Sequence, residues 1–214
     1  MSTKKKARYA TPIGTFNYPW LDKPSKWSNS ARDGQGGSVP AEVDDVNARY
    51  SVKVTFEPET FDSSEFKQQI DDVWGLAQAE YKGKFKDAKP PYWKDDDGNY
   101  VLTARCNAAF QKNGNTVTMP PVLEDCEGRN VTDFIKNEGI QVASGSTGRV
   151  FVTTYVPEPM KDRNSGDVTI KMMLDLKKAQ FKKLERWEGG DSGGSDPIEG
   201  GTPVSDDYGD GIAI

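Results

Sequence analysis

YVLTARCNAAFQKNGN, the stretch at residues 100–115, decides the expected fold. Small or apolar side chains alternate with polar ones along YVLTARCNAAF, which is the pattern of a strand with one buried face. Asn113 and Gly114 follow, and this dipeptide after an alternating run is a strong signal for a tight β-hairpin. The stretch therefore predicts a strand at 100–110, a hairpin turn, and a returning strand at roughly 116–123.

Three further segments carry the same alternation. Residues 49–57, 148–156 and 167–184 each place apolar side chains on one face and polar side chains on the other. Pro58 ends the first of these runs, and Pro157 ends the second. Together with the two strands of the hairpin, they give five predicted strands.

The spacing of apolar side chains predicts one helix, at residues 62–85. Its apolar stripe contains Phe66, Ile70, Val73, Trp74, Ala77, Tyr81 and Phe85. Asp62 and Glu65 fit a capping box at its N-terminus, and Phe61 and Phe66 fit a hydrophobic staple. This helix would lie between the first and second predicted strands.

Strands at hairpin spacing with one helix favour a small barrel over a parallel sheet. We therefore expect a mainly β fold: a five-stranded OB-fold-type barrel with one helix inserted between the first and second strands. The segment at 11–24 is expected to be an edge strand or extended, since prolines flank its alternating aromatic residues. Residues 28–38 have the composition of a mobile loop, and residues 129–147 are expected to be irregular.

The residue types that are absent from the sequence exclude several kinds of chemistry. The chain has no histidine, which excludes His-based acid–base catalysis, Ser-His-Asp and Cys-His nucleophiles, and His metal ligands. Its two cysteines, Cys106 and Cys126, are too few for an ordinary zinc site and are not spaced as a CxxC motif. We expect reduced thiols, no cofactor and no bound metal.

The sequence also gives no indication of a membrane or secreted protein. No run approaches the ~18 apolar residues of a membrane span. The N-terminal residues MSTKKKARYATPIG carry basic charge without the apolar core of a signal peptide. We therefore expect a protein of the cytoplasm with no membrane partner.

The net charge of −5 conceals an uneven distribution. Residues 188–214 contain seven acidic and no basic side chains, whereas residues 1–187 contain 28 basic and 26 acidic ones. The Gly, Ser, Asp and Pro content of the last segment is too polar to form a core. The sequence therefore predicts a folded domain at 1–187 and a flexible acidic C-terminal tail at 188–214. Such a tail can compete with nucleic acid for a basic groove, and this asymmetry of charge favours nucleic-acid chemistry.

If the aliphatic faces fill the barrel, the opposite faces of the strands meet solvent and form a candidate site. Bases stack on aromatic rings and cations neutralise phosphates, so basic and aromatic side chains on one face suit a single strand. Trp93, in a Pro-Pro loop with Tyr92, adds a further stacking candidate. The candidate DNA-binding residues are Lys53, Trp93, Arg105, Asn107, Arg149, Phe151, Tyr155 and Lys171, with Met173 on the same face.

A second interpretation of these residues stays open. In it, Phe151 and Tyr155 pack under the inserted helix or a loop, and Trp93 packs against the barrel. The cations are then only solvated. Which interpretation holds depends on which face of the sheet the helix covers.

Four runs of the sequence resemble the single-stranded-DNA-binding proteins of bacteriophages related to the T-odd podoviruses. They are DDDGNYVLTARCNAAFQ at 95–111, EDCEGRNVTDF at 124–134, GIQVASGSTGRVFVTTYVPEP at 139–159 and GDVTIKMMLDLKKAQFKKL at 166–184. The order of the pieces matches as well, and TPIGTFNYPWLDKP resembles the opening segment of that family. The resemblance covers residues 10–187.

This resemblance implies an OB-fold that coats single-stranded DNA in phage replication, recombination and strand annealing, in the cytoplasm of the bacterial host. It also implies that the acidic tail recruits replication proteins such as DNA polymerase or helicase-primase, and it allows a homodimer. The tail residues that would make these contacts are Asp206, Asp207, Tyr208, Asp210 and Ile214.

Two features depart from the pattern of that family. The tail ends in Ile214, with Tyr208 earlier, where the family often ends in an aromatic residue after acids. The loop after the fourth predicted strand, from Pro157 to Met160, has no aromatic residue. Base stacking would then fall to Tyr155 and Phe151.

Two other functions stay open. The first is a non-enzymatic phage structural or protein-interaction β-barrel module, which would form a stable oligomer without salt-dependent DNA binding. The second is a metal nuclease that uses Asp44, Asp45 or the acids at 95–97. These carboxylates lie beside turn residues, without a convergent Lys or Glu on adjoining strands, so we do not expect an enzyme.

Overall fold

The computed structural model describes residues 7–31, 36–161 and 166–187, and strands are the main element of these ranges. The strands are β1 (Arg8–Ala10), β2 (Gly14–Ser28), β3 (Gly37–Pro40), β4 (Arg49–Phe56), β5 (Asp87–Lys89), β6 (Tyr92–Lys94), β7 (Tyr100–Asn107), β8 (Ala109–Lys112), β9 (Asn115–Thr118), β10 (Val122–Glu124), β11 (Thr147–Tyr155), β12 (Met160–Lys161), β13 (Val168–Lys171) and β14 (Met173–Lys183). The helices of the same ranges are α1 (Pro58–Asp62), α2 (Glu65–Glu80) and α3 (Thr132–Asn137). Within these residues, no helix has the length and apolar content that a membrane span needs.

Five strands form a barrel wall, which confirms the predicted mainly β architecture. Around the wall, β11 pairs with β14, β14 with β7, β7 with β4, and β4 with β2. β2 meets β11 over two residue pairs only, Thr15 with Thr147 and Gly14 with Gly148, so the barrel is incompletely closed there. A five-stranded, partly open barrel is the form that an OB-fold takes.

The alternation of β4 places its apolar side chains in the core, as predicted. Tyr50, Val52, Val54 and Phe56 are buried, and each of the two valines and the phenylalanine contributes about 1.5–3 kcal/mol by leaving water. The neighbouring strands add Leu102, Ala104, Cys106, Val150, Val152, Leu174 and Leu176 to the same core. The opposite residues of these strands therefore point outward, and this positions the candidate site.

One of the five predicted barrel strands is wrong. Residues 115–118 form β9, which pairs with β8 in a separate two-stranded sheet. The fifth wall strand is β2, which was expected to be an edge strand or extended segment. Its pairing with β4 contains two register shifts, one after Asn17 and one after Trp20, and these interrupt the alternation that would reveal a wall strand.

The predicted hairpin turn is confirmed at Asn113 and Gly114, whose positive φ values of 52° and 81° are those of a type I′ turn. The predicted strand at 100–110 is, however, divided at Ala108. The N–H of Ala108 donates to the carbonyl oxygen of Ala48 at 2.9 Å, directly before the start of β4. β7 therefore stays in the barrel wall, while β8 and β9 leave it as a hairpin.

The helix lies between β4 and β7, as predicted, but its ends differ. Pro58 stands at the start of α1, which ends at Asp62, so a separate short helix precedes α2. Ser64, rather than Asp62, caps α2, because its Oγ accepts the N–H of Lys67 at 3.2 Å. The predicted contact between Phe61 and Phe66 is present, with ring centroids 6.1 Å apart.

Two segments expected to lack regular structure contain some. Residues 28–38 include the end of β2 and the start of β3, although 32–35 lie outside the described residues. Residues 129–147 include the helix α3, which buries Ile135. A helix of this length is too short to show its period in the sequence.

The predicted long strand at 167–184 is two strands that serve different sheets. β13 pairs with β12 and β5, whereas β14 is part of the barrel wall. Ile170, Met172 and Leu174 are buried in the predicted phase. Directly after the break, Leu174 and Asp175 of β14 pair with β7.

A β-bulge changes the phase of β14 at Lys177. In the pairing with β11, Leu176 is opposite Val152 and Lys178 is opposite Phe151, which leaves Lys177 as the extra residue. A bulge of this kind bends the strand and redirects the side chains around it. The outward-pointing side chains of β14 therefore do not form a straight row along the barrel.

Candidate nucleic-acid interface

The outward side of β7 is the centre of the candidate interface. β4 pairs with β7 along its whole length, from Tyr100 to Asn107. The other edge of β7 is shared by two strands. β6 pairs with residues 100–102 of β7, and β14 pairs with residues 104–105. A groove opens where β6 gives way to β14.

This groove has a volume of about 260 Å³. Its lining consists of Lys89, Pro90, Pro91 and Trp93 from the β5–β6 segment, Thr103 and Arg105 from β7, and Lys171, Met172, Met173 and Leu174 from β13 and β14. Pockets that enclose small molecules usually measure ~300–1,000 Å³. A groove of this smaller size suits a chain that lies across it better than an enclosed ligand.

Trp93 supplies the aromatic surface of the groove. It is 47% exposed, so about half of its surface is accessible to a ligand. The Nζ of Lys53 lies 5.9 Å from the centroid of its ring. A cation beside an exposed indole combines the two groups that contact a single strand, a stacking surface and a positive charge.

Three of the predicted cations lie at or beside the groove. Arg105 and Lys171 line it, and Lys53 reaches it through Trp93. Arg49 is paired in register with Asn107 and extends the same outward row on β4. Within the described ranges, these four cations form no salt bridge, in contrast to Lys178, whose Nζ lies 2.9 Å from Glu124.

The electrostatic surroundings of Arg105 favour an anionic ligand. Desolvation by the surrounding protein lowers the pKa of its guanidinium, and the positive charge of Arg49 lowers that pKa further. The residue still holds its proton, since arginine is protonated at any physiological pH. A phosphate placed here would relieve the repulsion between the two guanidinium groups.

Tyr155 and Asn107 lie at the borders of the groove face. Tyr155 is 51% exposed and is opposite Met173 in the pairing of β11 with β14. Asn107, at the end of β7, is also exposed and is opposite Arg49. Residues directly opposite each other in a sheet point to one face, so both predicted residues share the face of the groove.

Arg149 and Phe151 form a second cluster on β11, apart from the residues that line the groove. The Nζ of Lys178 lies 4.1 Å from the ring centroid of Phe151, and the Cζ of Arg149 lies 5.3 Å from it. Arg149 Nε also donates to Gln180 Oε1 at 2.8 Å. The ring of Phe151 is half-buried, and groups of the protein itself already cover part of it.

The sequence analysis did not name Arg49, Thr103 or Lys177 as candidate site residues. Extending the alternation of β4 back from Lys53 by two steps reaches Arg49, so the signal for that residue was present. Thr103 can be recognised as a site residue only once the position of the groove is known. Lys177 needed the bulge in β14, which the sequence does not reveal.

The remaining predicted features lie outside the interface or outside the described ranges. The tail residues Asp206, Asp207, Tyr208, Asp210 and Ile214 fall in the segment that the structure does not describe. Neither Cys106 nor Cys126 forms a disulfide, and burial raises the pKa of the Cys106 thiol to about 12, with the charge of Asp175 as a second cause. The described residues contain no cluster of Cys, Asp and Glu side chains that could hold a metal ion.

Comparison with solved structures shows which proteins share this fold. The crystal structure of gp2.5, a single-stranded DNA binding protein encoded by bacteriophage T7, superposes with a TM-score of 0.59 at 18% identity, over 94% of this chain and 100% of that chain. The single-stranded DNA-binding protein from bacteriophage Enc34 superposes with a TM-score of 0.52 at 16% identity, over 89% and 93% of the two chains. The same Enc34 protein in complex with single-stranded DNA gives 0.50 at 17% identity, over 82% and 86%.

These likenesses establish a common fold across most of each chain. The searched protein-family models and the curated proteins contain no match to this sequence. The fold expected from the resemblance is therefore confirmed by structure.

Proposed function

We propose that this chain is a phage-type single-stranded-DNA-binding protein that holds DNA across the groove beside β7 without reading its sequence. The observation that supports this most strongly is the placement of the exposed Trp93 beside Arg105 and Lys171 on an OB-type barrel wall. The shared fold adds support, because the T7 and Enc34 proteins are both described as single-stranded-DNA-binding proteins.

The groove offers a single strand two kinds of contact. A base can stack on Trp93, which is worth about 1–3 kcal/mol and tolerates any base, since every base has a π-face. Phosphates on either side of that base can be neutralised by Lys53, Arg105 and Lys171. In a duplex the bases are already stacked on each other, so binding of duplex DNA should be weaker.

The proposed site extends from the groove along the outer face of the barrel. Trp93, Lys53, Arg105 and Lys171 form its centre, and Arg49 joins them. The remaining members are the predicted residues Asn107, Arg149, Phe151 and Tyr155. Arg149 and Phe151 would act at the far end of β11, where their existing contacts with Lys178 and Gln180 limit what they offer DNA.

The wider role that we propose rests on composition and on the resemblance. DNA binding belongs to the domain at 1–187, which acts without catalysis in phage replication, recombination and strand annealing in the cytoplasm of the bacterial host. The acidic tail at 188–214 competes with DNA and recruits replication proteins such as DNA polymerase or helicase-primase. The resemblance also allows a homodimer.

Trp93→Ala is expected to weaken binding of an oligo-dT strand by about 5- to 150-fold, the range that loss of one stacked base corresponds to. Fluorescence anisotropy of labelled oligo-dT and labelled duplex DNA measures the effect, because it does not depend on the tryptophan that the variant removes. In the unsubstituted protein, oligo-dT should also quench the tryptophan fluorescence, and salt should reverse the quenching. The matched control is Trp27→Ala, because Trp27 is 66% exposed on β2, away from the groove lining.

Equal binding by both tryptophan variants would contradict the stacking role. If neither oligo-dT nor duplex DNA changes the fluorescence or shifts the protein on a gel at low salt, DNA binding itself is wrong. A protein-interaction β-barrel module would then be the better proposal.

Deletion of residues 188–214 is expected to strengthen binding of oligo-dT, because seven acidic side chains no longer compete for the basic groove. The gain should be larger at low salt, where long-range charge is least screened. Gel-shift titrations of the full chain and of residues 1–187 at two salt concentrations measure it. Identical affinities at both concentrations would contradict competition by the tail.

A further inference from the structure

Asp175 is an acidic side chain in the middle of the proposed DNA face. Its Cα is in register with that of Arg105 on β7 and with that of Thr153 on β11. Residues opposite each other in a sheet point to the same face. The side chain is 35% exposed, so it is accessible to a strand laid across this face, and its charge would repel the phosphates of that strand.

The same carboxylate holds a cation of this face. The Nζ of Lys177 lies 2.5 Å from Asp175 Oδ2, and the Lys177 side chain is only 30% exposed. The hydroxyl of Thr153 donates to the same oxygen at 3.4 Å, which keeps the carboxylate in place. Because Lys177 is the extra residue of the bulge in β14, the bulge can redirect its side chain toward Asp175.

Stability is a weak explanation for an acid at this position. A partly exposed ion pair contributes little to the free energy of unfolding. Arg105, although in register with Asp175, forms no salt bridge with it in the described part of the chain. The pair therefore neutralises Lys177 and, within the described residues, forms no salt bridge with Arg105.

We propose that Asp175 is a built-in competitor of the DNA backbone. The Asp175 carboxylate pairs with Lys177 as a DNA phosphate would. The affinity of the groove for DNA therefore stays below the value that the cations of the groove could provide. This inference rests on the proposed function, because it concerns the same face. Differences of affinity within one interface lie mostly in the dissociation rate, so Asp175 would shorten the residence of the protein on DNA. A protein that coats DNA destined for copying or pairing must leave it again.

Asp175→Asn tests this, since the amide keeps the shape and an acceptor for Thr153 while it removes the charge. At 0.1 M salt, the variant is expected to bind oligo-dT about fivefold more tightly, the gain from one additional neutralised phosphate. The slope of log affinity against log salt should become steeper by about 0.7. Lys177→Gln should cancel the gain in the Asp175→Asn background, so that the double variant binds oligo-dT about as tightly as the unsubstituted protein.

Glu138→Gln is the matched control, because it removes one negative charge at the end of α3, which does not line the groove. Its affinity should stay within about twofold of that of the unsubstituted protein and its salt slope should not change, as expected for a screened, distant charge. Unchanged or weaker binding by Asp175→Asn would overturn the inference. A double variant, Asp175→Asn with Lys177→Gln, that keeps the fivefold gain would also overturn it, since the gain would then not come from Lys177. Failure of the unsubstituted protein to bind oligo-dT would instead refute the proposed function.

Discussion

Replacing Lys53, Arg105 and Lys171 together with glutamine is expected to weaken binding of oligo-dT about 100-fold at 0.1 M salt. Each phosphate that a cation neutralises on a single strand adds about 0.7 to the slope of log affinity against log salt. Three lost contacts should therefore flatten that slope by about 2. Fluorescence anisotropy of a labelled oligo-dT at several salt concentrations gives both quantities.

The matched control removes the same charge from elsewhere on the surface. Lys82, Lys136 and Lys182 are exposed and do not line the groove, so their triple glutamine variant keeps the local contacts. Its affinity for oligo-dT should fall only slightly at 0.1 M salt, because separated charges are screened beyond ~10 Å. An equal loss of affinity in the two triple variants would show that net charge, and not the groove, determines binding.

Gly148→Ala is expected to lower the free energy of unfolding by about 3 kcal/mol, because the added Cβ overpacks the contact between β11 and β14. A Cβ on Gly148 would lie 2.2 Å from the carbonyl oxygen of Gln180 and 3.1 Å from the Cα of Phe181. These are backbone atoms, which cannot rotate away as a side chain could. In a chain of this size the loss corresponds to a fall in Tm of about 6–12 °C.

Gly75→Ala is the control for the effect of adding a methyl group. Gly75 lies in the interior of α2, and a Cβ there would have no atom within 4 Å. Alanine is the better helix former by about 1 kcal/mol, so this variant should be slightly more stable. Thermal unfolding followed by circular dichroism measures both variants. An unchanged Tm for Gly148→Ala would show that β11 and β14 are not held closely at Gly148 and Gln180.

The elements that the sequence predicted correctly are those whose pattern is local. β4 alternates without interruption, and its inward and outward faces follow directly from that alternation. Arg105 was identified in the same way from the alternation of β7. The turn at Asn113 and Gly114 was predicted because a type I′ turn requires a residue pair that accepts positive φ.

Features that depend on pairing between distant strands could not be predicted in the same way. The role of β2 in the wall depends on its pairing with β4 and β11, and its register shifts obscure the local signal. The groove exists because β6 and β14 share one side of β7, which no single segment encodes. Trp93 was therefore predicted as a stacking residue, but its proximity to Lys53 was not.

The same distinction between local pattern and distant pairing applies to the candidate site. Lys53, Arg105 and Lys171 were placed on one outward face from their positions in alternating segments, and the structure brings them to the groove. Arg149 and Phe151 satisfied the same rule of alternation. The bulge at Lys177 and the contacts of Lys178 give them a cluster of their own, because side-chain partners are decided by the neighbouring strand.

Photocrosslinking with an oligo-dT strand that contains 5-iododeoxyuridine tests the central claim most directly. A halogenated base stacked on an indole crosslinks to it, and mass spectrometry of the tryptic peptides then identifies the residue. We predict that the crosslink lies in the peptide at 87–94, on Trp93, and that it disappears at high salt. Crosslinks confined to other segments, such as the β8–β9 hairpin around Phe110, with none at Trp93, would contradict the account.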